Sequence, residues 1–128
     1  MAKSEITFEE MIGGADMDKL WTNTTPTVAF GAQTINLDLS GYTHIAVDFD
    51  NAGTGIFRIG TSGQQFNRIT MYQSSRVLIH QRTCYPKTDG VTFNDNMYYS
   101  QASAGSAFSE STLNSNLIPL NIYGIKAM

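Results

Sequence analysis

The chain has 128 residues, enough for one domain with a real core, and only 15% of them are charged, where about a quarter is usual. A net charge of −3 and eight scattered Lys and Arg argue against nucleic-acid binding, which needs clustered cations. No run is apolar or long enough for a membrane span. Ser, Thr, Asn and Gln take the place of the missing charges, a composition suited to carbohydrate-facing, secreted and viral surface proteins. Met-Ala-Lys-Ser-Glu5 lacks the apolar stretch of a signal peptide. The expectation is therefore a product made in a cytoplasm and released by lysis or inside an assembly.

In chain order, Thr7-Phe-Glu-Glu10 is a capping box, with Ile6 and Met11 at the staple positions and Gly13-Gly14 as a stop. This predicts a short helix over residues 8–12, too short to stand alone. Residues 1–18 then form an N-terminal attachment arm, and 19–128 a β-domain. From Leu20 onward the period is two. Residues 32–39 place Ile35, Leu37 and Leu39 on one face. Residues 42–50 do the same with Ile45, Val47 and Phe49, and the Ser40-Gly41 turn between the runs predicts an antiparallel pair.

Shorter strands follow at 56–60 and 68–72, a longer one at 76–84, a turn at 85–90, and strands at 90–93 and 97–101. Residues 102–116, rich in Ser, Ala and Asn, read as a long surface loop. The last strand, 117–126, carries apolar bulk on both faces, so it is either central in the domain or pressed against another subunit. Many short strands and almost no helix predict an all-β fold, an antiparallel β-sandwich or jelly roll with a short N-terminal helix.

Chemistry is sparse. A hydrolytic triad needs a nucleophile, a histidine and an orienting acid, yet His44 and His80 each sit within an alternating strand and no Gly-x-Ser-x-Gly elbow occurs. Cys84 is alone and has no cysteine partner for a disulfide or a metal knuckle. Asp48 and Asp50 share a strand face, but two carboxylates are too few for calcium, and with Asp89 and Asp95 they read first as solvated charges. Gly53-Thr-Gly55 lacks the lysine and helix of a phosphate loop. The expectation is no enzyme, no metal and no cofactor.

Aromatics are the better binding candidates. Trp21 reads as core or as a sugar platform. Asn94, Asp95, Tyr98 and Tyr99 form the expected ligand-binding group, with one tyrosine stacking on a sugar; the adjoining loop 102–116 either shares that contact or only covers an edge or interface.

Two stretches carry a resemblance. Leu20-Trp-Thr-Asn-Thr-Thr-Pro-Thr27 with Phe30-Gly-Ala-Gln-Thr-Ile-Asn-Leu-Asp-Leu-Ser-Gly-Tyr42 opens the module, and Ile118-Pro-Leu-Asn-Ile-Tyr-Gly-Ile-Lys126 closes it. Between them lie Arg82 and Gly90-Val-Thr-Phe93. Over residues 19–126 the pattern resembles the small β-module of tailed-bacteriophage virion proteins, set at the distal end of tail, baseplate or fibre proteins. The resemblance implies a structural virion protein on tail, fibre or head, joined to other virion proteins by its arm. Together with the two-faced C-terminal strand it leads to the expectation of a homotrimer, with a host surface glycan as the expected contact; charge and hydropathy lead to no nucleic acid and no membrane insertion. The alternative is a free-standing carbohydrate-binding protein with no virion role.

Overall fold

The computed structural model describes residues 16–60, 62–72 and 76–126. The predicted helix at 8–12, its capping box and most of the arm lie outside the described residues. The described chain is all-β and antiparallel. A four-stranded sheet has the order β1 (Met17–Thr22), β10 (Pro119–Ile125), β3 (His44–Phe49), β4 (Gly53–Arg58). A six-stranded sheet runs β2 (Gln33–Asn36), β7 (Gly90–Phe93), β6 (Arg76–Lys87), β8 (Met97–Gln101), β9 (Phe108–Thr112), with β5 (Gln64–Tyr72) on the far edge of β6. β1 begins at Met17, paired with Ile125.

Strand β6 organises the larger sheet. One of its edges pairs with β5 along the hairpin, from Gln64 opposite Cys84 to Tyr72 opposite Arg76. Its other edge is divided: Leu78–Gln81 pair with β8, and Cys84–Lys87 with β7. Between them the Asn94 amide donates to Thr83 O at 2.9 Å. β7 and β8 therefore lie end to end along one strand, and the chain from 94 to 96 makes the joint.

Alternation puts Ile45, Val47, Phe49, Phe57 and Ile122 of the smaller sheet against Cys84, Val91 and Phe93 of the larger, with Phe30, Leu39, Leu117 and Ile118 filling the ends. Phe49 stacks on Phe66 at 4.5 Å between centroids and meets Phe57 edge-on. Each such side chain contributes about 1.5–3 kcal/mol by leaving water. β10 is central, as its two apolar faces allow. Ile122 joins the main core, while Tyr123 and Ile125 belong to a second cluster with Met17 and Ala46 on the sheet's other face. That strand is thus covered on both faces without a second subunit. Gly124 leaves room for the Tyr42 ring: a Cβ there would stand 2.6 Å from Tyr42 Cδ1.

The predicted pairing of the runs at 32–39 and 42–50 does not form. β2 pairs with β7, and β3 with β10 and β4. The Ser40-Gly41 turn is a corner between sheets. The Leu39 amide donates to Thr88 O at 2.8 Å on the larger sheet's side, and the Thr43 amide to Ile125 O at 2.9 Å on the smaller's. Alternation fixes which face of a strand is apolar, not which strand lies beside it, and here the two faces meet across the core. The expected loop 102–116 also contains a strand, β9, whose residues are all exposed.

Candidate functional site

The sequence nominates Asn94, Asp95, Tyr98 and Tyr99. Most of this segment braces the joint in the larger sheet. Asp95 Oδ1 accepts from the Ala32 amide at 2.9 Å and from Asn114 Nδ2 at 2.9 Å. Those two bonds, with the Arg82 charge nearby, hold its carboxyl below the usual range against a smaller opposing effect of desolvation. Asn96 is fully buried; its amide N–H donates to Asn114 Oδ1 at 2.8 Å and its Nδ2 donates to Leu113 O at 2.8 Å and lies 3.2 Å from His80 Nδ1. Asn94 is exposed, with Nδ2 donating to the Tyr85 hydroxyl at 3.4 Å. Tyr98 stacks on His80, ring centroids 4.7 Å apart, on the face that bears Arg82 and Cys84. Tyr99 belongs to the opposite face, beside Ile79. The two tyrosines therefore serve different surfaces.

Beneath this joint lies Arg82, with no exposed surface. Its Nε donates to Leu117 O at 2.8 Å, Nη1 to Asn94 O at 2.8 Å, and Nη2 to Asn116 O at 3.0 Å. The guanidinium also sits 5.4 Å from the Phe30 ring centroid. Burial pushes its pKa down to about 10, which leaves it charged at neutral pH. In the sequence Arg82 stands out only as part of the resemblance pattern. Its place between His80 and Cys84, on the inward-facing set of β6, is the signal that it is buried.

Among the described residues no hydrolytic arrangement forms around the histidines or the cysteine. Burial, and then the Arg68 charge, push His80 below its ordinary pKa, and burial pushes Cys84 up to about 12, so the thiol is no nucleophile at neutral pH. Asp48 is occupied by Thr54 Oγ1 at 2.7 Å and Asn121 Nδ2 at 3.1 Å. Among the described residues no group of three His, Cys, Asp or Glu is placed to hold a metal ion.

Two surfaces remain. The first is the outer face of the larger sheet. No residue of β8 or β9 belongs to the core, so this part of the sheet overhangs it. Ile69 stands opposite Ile79, which stands opposite Tyr99; Met71 stands opposite Val77. Phe108 extends the same face from opposite Gln101. Ile69 is 66% exposed, Met71 60% and Phe108 47%. Glu110 stands opposite Tyr99 and Gln101 opposite Phe108, so polar groups interrupt this apolar patch, which is a candidate interaction surface. The alternation of Ile69 and Met71 with Arg68 and Thr70 was legible in the sequence, but nothing there told an outward apolar face from an inward one.

The second is a groove of about 420 Å³ between the end of β1, the 23–30 loop and β2, lined by Trp21, Phe30, Gln33 and Ile35 together with Thr22 and Thr24. A further depression of about 420 Å³, at Asn36–Asp38 and Thr88–Asp89, holds no aromatic side chain and lies open on the surface. Compared with protein-family models, with curated proteins and with solved structures, the chain matches none.

Proposed function

We propose that the chain is a structural subunit of a tailed-phage particle, displayed on tail, fibre or head, where it packs against further copies and other virion proteins. The observation that supports this is the overhanging apolar face of Ile69, Met71, Val77, Ile79, Tyr99 and Phe108. Such a face is costly to leave in water and is relieved by association. β9 beside it is an edge strand with every residue exposed, which is also open to a neighbour. The expected homotrimer is the proposed assembly, with this face, not β10, as its contact. The weakly charged composition accords with a packing role.

The test is direct. Phage particles purified by density gradient from lysates expressing this chain are probed with antiserum against it, and the Ile69→Lys/Met71→Lys variant is run in parallel. The expected result is chain in the particle band, with the folded variant left in the soluble fraction. A chain found only in the soluble fraction overturns the proposal.

A further inference from the structure

We propose that the groove beside Trp21 is a binding site for a neutral mono- or disaccharide, with the indole as its platform and Gln33 and the Thr24 hydroxyl at its rim. The inference does not depend on the particle reading, since the same groove would serve a free-standing binding protein.

Charge decides the ligand class first. Every side chain lining the groove is uncharged. With no Lys or Arg, it offers nothing to neutralise a phosphate or sulfate; with no carboxylate, it offers nothing to a cation. What it does offer is of two kinds. Trp21, Phe30 and Ile35 supply apolar surface, while the Thr24 hydroxyl and the Gln33 amide, whose Nε2 also donates to Gly31 O at 3.1 Å, supply hydrogen-bonding groups; the Thr22 and Thr25 hydroxyls donate to Asn121 and Asn23 and keep only acceptor capacity. A pyranose has the same two kinds of surface: C–H faces that pack on an aromatic ring and a belt of hydroxyls that both donate and accept. The volume lies within the range usual for small-ligand sites.

The groove is also held in shape before any ligand arrives. Asn23, at the start of the loop, is buried and both ends of its amide are bonded. Its Nδ2 donates to Pro119 O at 2.9 Å, and its Oδ1 accepts from the Thr25 amide at 2.8 Å and the Thr25 hydroxyl at 3.3 Å. The Val28 amide closes a turn on Thr25 O at 3.1 Å, and the Phe30 amide ties the end of the loop to Asn114 O at 2.9 Å. Phe30 is wedged edge-on against Trp21 at 6.3 Å and against Phe93 at 5.5 Å, so the floor of the groove is continuous with the core. Trp21 itself is half-buried: it packs on the core and lines the groove at once. A fixed loop lowers the ordering cost that weak sugar contacts must overcome.

Trp21 is the only tryptophan among six tyrosines, so tryptophan emission, excited to the red of tyrosine absorption, reports on the surroundings of Trp21. The isolated full chain is titrated with cellobiose, maltose, lactose and chitobiose, with inorganic phosphate as the anionic control. The expected result is a saturable change in emission with at least one sugar at millimolar or lower concentration, and no saturable change with phosphate. Gln33→Ala weakens that binding at least fivefold while its thermal midpoint stays unchanged, and Trp21→Phe weakens it likewise when followed on the sugar by saturation-transfer NMR. No saturable change with any of the four sugars overturns the proposal, as does binding undiminished in Gln33→Ala. Saturation by phosphate in place of sugar overturns the ligand class. Failure of the sugars leaves the particle-band result untouched, so the two readings fail separately.

Discussion

At the scale of single residues, two buried groups carry the clearest consequences. Arg82 reaches three main-chain carbonyls and makes no direct bond to a carboxylate, so its charge is offset by peptide dipoles. Truncation to Arg82→Met strands those carbonyls in the interior at about 1–3 kcal/mol for each that water cannot reach. A loss on the order of 3 kcal/mol or more is expected in urea unfolding. Arg82→Lys is expected to fall nearly as far, because an ammonium cannot span the same fork. Cys84 gives a pH signature. Burial raises its pKa from 9.0 to about 12, so the unfolded chain loses the thiol proton first. The sign follows from linkage: stability is unaffected below pH 9 and falls between 9 and 12, with a slope of up to about 1.4 kcal/mol per pH unit. Comparing Cys84→Ala with the native chain across that range isolates the thiol. The native thiol is also expected to resist a disulfide reagent at pH 8 until urea unfolds the domain.

At the scale of elements, β10 depends on a missing side chain. The Tyr42 ring covers Gly124 and is tethered at its far end by its hydroxyl, which donates to Asp18 Oδ2 at 2.8 Å. It therefore cannot swing away from a new methyl group without breaking that bond. Gly124→Ala is expected to cost about 1–3 kcal/mol and lower the melting midpoint by several degrees, whereas Gly41→Ala, where a Cβ meets nothing within 4 Å, should change it little. What the sequence made legible here follows the same logic of faces. The bounds of β7 and β8 were readable, because the turn at 85–90 precedes one and polar Asn94-Asp-Asn96 divides the two. β9 was not, because a strand exposed on both sides has no alternation to display. The pairing of β2 with β7 was hidden because partner choice depends on contacts distant in sequence. The proposed groove was hidden for a related reason: Trp21 and Gln33 meet only once the 23–30 loop closes.

At the scale of the whole molecule, the two sheets are unequal, and the overhang of the larger one should set the state of association. Light scattering of the native chain at micromolar concentration is expected to give an oligomer, and Ile69→Lys/Met71→Lys a monomer with an unchanged cooperative melt. A native monomer would show that this apolar face is tolerated in water. The way Arg82 grips the end of the loop between β9 and β10 has a separate consequence. It holds that turn by peptide oxygens at Asn116 and Leu117, which every amino acid supplies, not by side chains. Leu113 likewise meets Asn96 through its main chain alone, its amide donating to Asn96 O at 2.9 Å and its oxygen accepting from Asn96 Nδ2, and turns an exposed side chain outward. Positions 113, 115 and 116 can then be randomised together with little loss of stability, while Asn114, whose side chain bonds Asp95 and Asn96, must be kept. A display library built on those sites would sample new surface chemistry on an unchanged frame, the same freedom that natural variation would find there.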